Sequence, residues 1–84
     1  MYYVYLLSNE NNNLYTGCTN DLKRRLVEHN EGKTHSTKNH LWKLVYYEAY
    51  TSKDDAFNRE KMLKQHGYSI RHLKSRLKNS LSKV

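Results

Sequence analysis

The stretch YYVYLL at residues 2–7 is apolar or aromatic at every position. Successive side chains of a strand point to opposite sides. A run with no polar side therefore suits a strand covered on both faces. The following NENNN, residues 9–13, is a turn signal. LYTGC, residues 14–18, reads as a second short strand. The two runs and their polar link form a β-hairpin pattern.

A helix is predicted over residues 22–30, with Asn20 or Asp21 as its cap and Gly32 as its stop. Residues 31–40 are polar and mixed, which suggests a loop. Residues 42–50, WKLVYYEAY, are β-branched and aromatic and read as a third strand. Thr51 or Ser52 caps a second helix, and Ser52 with Asp55 is close to a capping box. That helix is expected to run to Gln65 and end at Gly67, with Ser69 capping a third. The order is β-β-α-β-α-α. It favours an α+β fold with a three-stranded, mostly antiparallel sheet flanked by helices.

The chain has 84 residues, enough for a single domain spanning 1–84. Its one cysteine, Cys18, excludes an internal disulfide. The N-terminal apolar run is too short for a signal peptide or a membrane span. A cytoplasmic location with no membrane partner is the expectation. Fifteen Lys and Arg against eight Asp and Glu give a net charge of +7. Such a domain attracts polyanions, and DNA is the expected partner, with RNA as the other candidate. Eight tyrosines accompany one phenylalanine. Each tyrosine packs like a core residue but carries a hydroxyl that needs a partner. That suits a wet-edged site and also an ordinary small sheet.

Helical phase sharpens the picture. Leu22 and Leu26 anchor the first helix, and Arg25 and His29 fall within about 60° of Leu22. Arg24 falls on the opposite side. On the second helix Ala56, Phe57 and Leu63 make an apolar stripe, and Glu60 falls inside it, within about 60° of each. A carboxylate there is costly unless a cation or metal pairs with it. A buried Arg25–Glu60 salt bridge is the plain structural alternative to a functional site. His35, His40, His66 and His72 lack zinc-ligand spacing. Lys38, Lys43, Arg71, Lys74, Arg76 and Lys78 are candidate phosphate contacts and, one by one, ordinary surface charges.

Taken in order, these residues resemble the GIY-YIG nuclease superfamily. Its two strand motifs correspond to Tyr3-Val4-Tyr5 and Tyr15-Thr16-Gly17. The family's helical arginine corresponds to Arg25. A histidine one turn further on, present in part of the family, corresponds to His29. The family's metal-binding glutamate corresponds to Glu60, within Ala56-Phe57-Asn58-Arg59-Glu60-Lys61. The segment DLKRRLVEHN resembles the small stand-alone bacterial members, the YhbQ/YazA-like group. The first motif has Tyr3-Val4 for Gly-Ile, and the second has Thr16 for Ile. Cys18 stands where the excision-repair nuclease has a lysine.

The resemblance implies a divalent-metal-dependent endonuclease that hydrolyses phosphodiester bonds in DNA repair or recombination. In that reading Glu60 holds Mg²⁺ or Mn²⁺, with no small-molecule cofactor. Arg25 grips the scissile phosphate. Tyr5 positions or deprotonates the attacking water, and Tyr15 bonds the phosphate or the water. Gly17 leaves room for close backbone approach, and His29 relays a proton or orients Arg25. The catalytic set is thus Tyr5, Tyr15, Arg25, His29 and Glu60. Two other readings stay open: a non-catalytic nucleic-acid-binding module on the same scaffold, and a basic interaction protein. Oligomeric state is not legible in the residues.

Overall fold

A computed structural model describes residues 1–32, 40–65 and 67–81, with the backbone alone at 67–69. The elements are β1 (Tyr2–Asn9), β2 (Leu14–Thr19), α1 (Leu22–Asn30), β3 (Trp42–Tyr50), α2 (Lys53–Gln65) and α3 (Gly67–Arg76). The three strands are antiparallel in the order β2-β1-β3. The expected α+β fold is the one observed. No helix among the described residues is long and apolar enough to cross a membrane.

β1 is the central strand, and Val4 to Asn9 are all buried. Alternation splits its side chains between two cores. Val4 and Leu6 meet Ala56, Leu63 and Leu73 from α2 and α3. Tyr5 and Leu7 meet Trp42, Tyr15, Leu22 and Leu26 on the side of α1. The uninterrupted apolar run is therefore the signature of a strand sandwiched between helical layers.

The β1–β2 turn is held by Asn9. Its Oδ1 accepts from the backbone N–H groups of Asn11 and Asn13, both at 2.9 Å. Asn12 takes the left-handed conformation, φ 62°, that asparagine tolerates well. Of the two cap candidates for α1, Asp21 serves, accepting from the Arg24 N–H at 3.1 Å. Gly32, at φ 75°, closes the helix and donates to the His29 carbonyl at 3.2 Å. Ser52 caps α2 through a long bond from the Asp55 N–H, 3.4 Å.

Two boundaries differ from expectation. Gly67 is the first residue of α3 and Ser69 lies inside that helix, so Ser69 does not precede it as a cap. Leu73 is buried, and Ile70 and Leu77 pack on the same core. Packing of that face, not residue preference at the start, sets where α3 begins. Phe57, expected in the apolar stripe of α2, is 48% exposed. Ala56 and Leu63 carry the buried face instead.

A bulge in β3 opposite Leu6 and Leu7 changes which side Trp42 faces. Leu6 pairs with Tyr46 but Leu7 pairs with Leu44, leaving Val45 as the extra residue. One added residue reverses the alternation beyond it. Tyr46, Glu48 and Tyr50 lie on the α2 side, whereas Trp42 lies on the α1 side beside Tyr5 and Leu7. Asn30 then ties the end of α1 to Trp42 on both sides. Its Nδ2 donates to the Trp42 carbonyl at 3.0 Å and its Oδ1 accepts from the Trp42 N–H at 2.7 Å.

Candidate active site

Strand pairing brings the two motifs side by side. Tyr5 lies opposite Gly17, and Leu7 lies opposite Tyr15. Tyr5, Gly17 and Tyr15 therefore share the face that α1 covers. Tyr5 is 1% exposed, and its ring lies directly over Gly17. A Cβ at position 17 would fall 2.8 Å from Tyr5 Cε1 and closer still to Cζ and the hydroxyl. The expectation that Gly17 clears a path for an approaching backbone is corrected here: the space it leaves is filled by Tyr5.

α1 turns His29 and Arg25 towards the same point. His29 is fully buried, and its Nε2 lies 2.9 Å from the Tyr5 hydroxyl. Its ring also meets Tyr15 edge-on, with centroids 4.8 Å apart, and Tyr15 in turn meets Trp42 at 6.2 Å. The Arg25 guanidinium lies near enough to the Tyr5 hydroxyl for its charge to act on the phenol. Its Nη1 donates to Glu28 Oε1 at 2.8 Å. Arg24, as phase predicts, points outward, with its side chain 57% exposed.

These contacts set the charge states. Burial pushes the Tyr5 phenol up from its ordinary value, and Arg25 only partly offsets this. Burial and then the Arg25 charge push His29 down, so at neutral pH the ring is uncharged. Burial disfavours the Arg25 cation, but the nearby Tyr5 hydroxyl and the Glu28 carboxylate outweigh it and hold the guanidinium more firmly charged than usual. A hydroxyl has one proton and two acceptor positions. Tyr5 can thus accept from Arg25 and donate to neutral His29 at once.

Glu60 arrives from the other helical layer. Its side chain is 23% exposed, and Lys64 Nζ lies 3.2 Å from Oε2. Lys64 Nζ also sits 5.8 Å from the Tyr15 ring centroid, so this part of α2 reaches the β2 edge of the sheet. The Glu60 charge acts on both Cys18 and Tyr5, though burial is the main cause of each shift. The Arg25–Glu60 salt bridge does not form: Arg25 pairs with Glu28 and Glu60 with Lys64. Tyr5, Tyr15, Arg25 and His29 make one contact cluster, and Glu60 faces it across β2.

Three residues near the site had not been singled out. Glu28 and Lys64 stand three and four positions after the charges they pair with, a spacing legible on any helix. Glu48 is less obvious. Its carboxylate accepts from Tyr46 and Tyr50, at 2.6 and 2.5 Å, and from Arg59 Nε and Nη2, at 2.9 and 3.0 Å. Burial pushes the Glu48 carboxyl up, but the three donors outweigh it and hold it below its ordinary value. The Tyr50 phenol is pushed up to about 12 by burial and Glu48. This cluster fastens α2 to β3 one residue before Glu60. Its signal was the shared parity of Tyr46, Glu48 and Tyr50.

Of the basic residues noted above, Lys43, Arg71, Lys74, Arg76 and Lys78 are exposed on β3, α3 and the turn beyond it. Lys38, His35 and His66 lie outside the described residues. His40 pairs with Glu10 at 2.5 Å, and its ring meets Trp42 edge-on with centroids 6.0 Å apart.

The profile of the GIY-YIG catalytic domain matches residues 1–74, and the chain belongs to this family, a family of nucleases. A UPF0213 protein of Streptococcus agalactiae serotype V is 46% identical over 65 residues, covering 75% of this chain and 74% of its own length. One from Streptococcus pyogenes serotype M5 is 43% identical, covering 75% of this chain and 71% of its own. The solution NMR structure of a UPF0213 protein from Bacillus halodurans aligns with a TM-score of 0.54 and 29% identity. It covers 87% of this chain and 83% of that one.

Proposed function

We propose that this chain is a divalent-metal-dependent DNA endonuclease that hydrolyses phosphodiester bonds, and we assign it to DNA repair or recombination. The observation that carries the reading is the buried Tyr5 hydroxyl 2.9 Å from His29 Nε2, with the Arg25 charge acting on both rings. A phenol buried between a firmly charged guanidinium and a neutral imidazole is arranged to move a proton.

Tyr5 alone is a poor base, because burial raises its pKa further from neutrality. The relay removes that obstacle. Tyr5 accepts a proton from the attacking water on its free acceptor position and gives its own proton to His29 Nε2. This requires the tautomer of His29 protonated at Nδ1. The net proton rests on an imidazole, and no free phenolate accumulates. Arg25 has five N–H donors, more than Glu28 and Tyr5 use, and offers the rest to the scissile phosphate. There it stabilises charge that grows in the transition state. Among the described residues nothing hydrogen-bonds the Tyr15 hydroxyl, which is thus available to a phosphate oxygen or the water.

Glu60 fits as the protein ligand of one divalent cation. It is part-exposed and paired with a lysine, and no group of three or more His, Cys, Asp or Glu stands together among the described residues. One carboxylate, with waters and substrate oxygens completing the shell, is a pattern Mg²⁺ or Mn²⁺ accepts. Glu60 would hold such a cation, which would supply polarisation of a phosphoryl oxygen and of a water. The net charge of +7 favours a polyanionic substrate.

Incubation with supercoiled plasmid and with branched DNA, with Mg²⁺, with Mn²⁺ or with chelator, tests the reading. Metal-dependent nicking is expected. Absence of cleavage on every substrate would contradict it.

A further inference from the structure

Beside Arg25 an open groove of about 390 Å³ runs from the start of α1 to the first turn of α2. Arg24, Arg25 and Lys53 line it, with Asn20 and Cys18, and no carboxylate does so among the described residues. Phe57 forms part of its wall. That side chain is the only phenylalanine in the sequence, and it is 48% exposed on a helix whose buried face does not include it. Lys53 Nζ lies over its ring, 5.3 Å from the centroid.

A face of an aromatic ring bordered by cations has the features of a single-strand path. Cations follow the phosphates, and an aromatic ring stacks an unpaired base of any kind. Inside a duplex the base faces are stacked on one another and closed to such a ring. Building on the nuclease reading above, we propose that this groove takes an unpaired stretch of DNA next to the scissile phosphate, with one base stacked on Phe57. Lys53, which covers the ring in the free protein, moves to a phosphate when the base arrives. Arg24, outward on α1, holds a neighbouring phosphate, while Arg25 keeps the phosphate to be cut. The preferred substrates are then junctions of paired and unpaired DNA.

Binding in chelator, where no cleavage occurs, tests this separately from catalysis. The probes are a short oligothymidylate, an abasic deoxyribose-phosphate oligomer of equal length, and a blunt duplex, each read by fluorescence anisotropy. Phe57→Ala is expected to weaken oligothymidylate binding by about 5- to 100-fold and to leave the abasic oligomer and the duplex unchanged. Phe57→Trp is expected to restore it, which guards against a folding defect in the alanine variant. Lys53→Ala and Arg24→Ala are expected to weaken both oligomers alike and to lower the salt dependence. Equal loss on the base-bearing and abasic oligomers in Phe57→Ala overturns the stacking proposal, and so does no loss on either. Metal-dependent nicking that persists beside such a result leaves the nuclease reading standing. Failure to bind any of the three probes overturns the groove proposal, while the nuclease reading stands or falls with metal-dependent nicking.

Discussion

Tyr5 and Gly17 face each other across β1 and β2, and the phenol ring of the first fills the space that a side chain on the second would need. The glycine of the second motif is thus the floor on which the tyrosine of the first is laid. That floor places the Tyr5 hydroxyl 2.9 Å from His29.

Gly17→Ala should therefore overpack a buried contact and cost about 1–3 kcal/mol of stability. In a Tyr5→Ala background the same change should cost far less. A denaturant-melt cycle of the four proteins measures the coupling. Additive losses would show that the ring and the glycine are independent.

Position 17 also marks what the residues could and could not reveal. The all-apolar β1 run, the two caps and the helical phases of Arg25 and His29 were legible because each depends on local geometry. Why Gly17 must be glycine was not, because the ring above it belongs to another strand. The bulge at Val45 was equally hidden. Alternation alone would have placed Trp42 on the α2 side, away from Tyr15. Phe57 misled because helical phase gives direction but not the extent of the layer it meets. Glu60 was legible as an inward-leaning carboxylate with Lys64 one turn on, but the approach of Lys64 to the Tyr15 ring was not, because it depends on where α2 passes the sheet edge.

The depressed pKa of His29 predicts a pH dependence of stability. The folded protein holds this ring neutral, so between its folded pKa and the ordinary value near 6.5 the unfolded chain binds more protons. The stabilisation is present above the ordinary value and is lost as pH falls through the folded pKa. Urea midpoints of the wild type should drop below about pH 6.5, and His29→Gln should flatten that portion of the profile. A profile unchanged by the substitution would remove His29 as its source. Cleavage rates should fall with acid over the same range, because a protonated His29 cannot take the Tyr5 proton.

Glu48 and Arg59 form a part-buried pair with two tyrosine donors, so removing one partner strands the other. Glu48→Gln is expected to cost about 1–3 kcal/mol, below the range for fully buried pairs because Arg59 reaches solvent. Arg59→Leu in the Glu48→Gln background should add little further loss. The Glu48 contribution should vanish as pH falls through its depressed folded pKa, below the ordinary carboxylate range. Thermal melts between about pH 3 and 7 check both statements. A wild-type-like Tm in Glu48→Gln would mean that the cluster contributes nothing measurable.

Lys64 and a divalent cation compete for one carboxylate. Lys64→Ala should lower the metal concentration that gives half-maximal cleavage by about twofold, in line with the modest strength of an i,i+4 ion pair. An unchanged or higher requirement would mean that Glu60 does not hold the metal.

The most direct test is cleavage of one branched DNA substrate by wild type, Glu60→Ala and Arg25→Ala in Mg²⁺ and Mn²⁺, with binding measured in parallel in chelator. The nuclease reading predicts metal-dependent cutting by the wild type. It predicts loss of at least about 100-fold in rate for both variants, on the scale of removing one transition-state donor. Binding of Glu60→Ala should be retained, because a carboxylate adds nothing to phosphate affinity. Cutting that survives Glu60→Ala at the wild-type rate would contradict the mechanism.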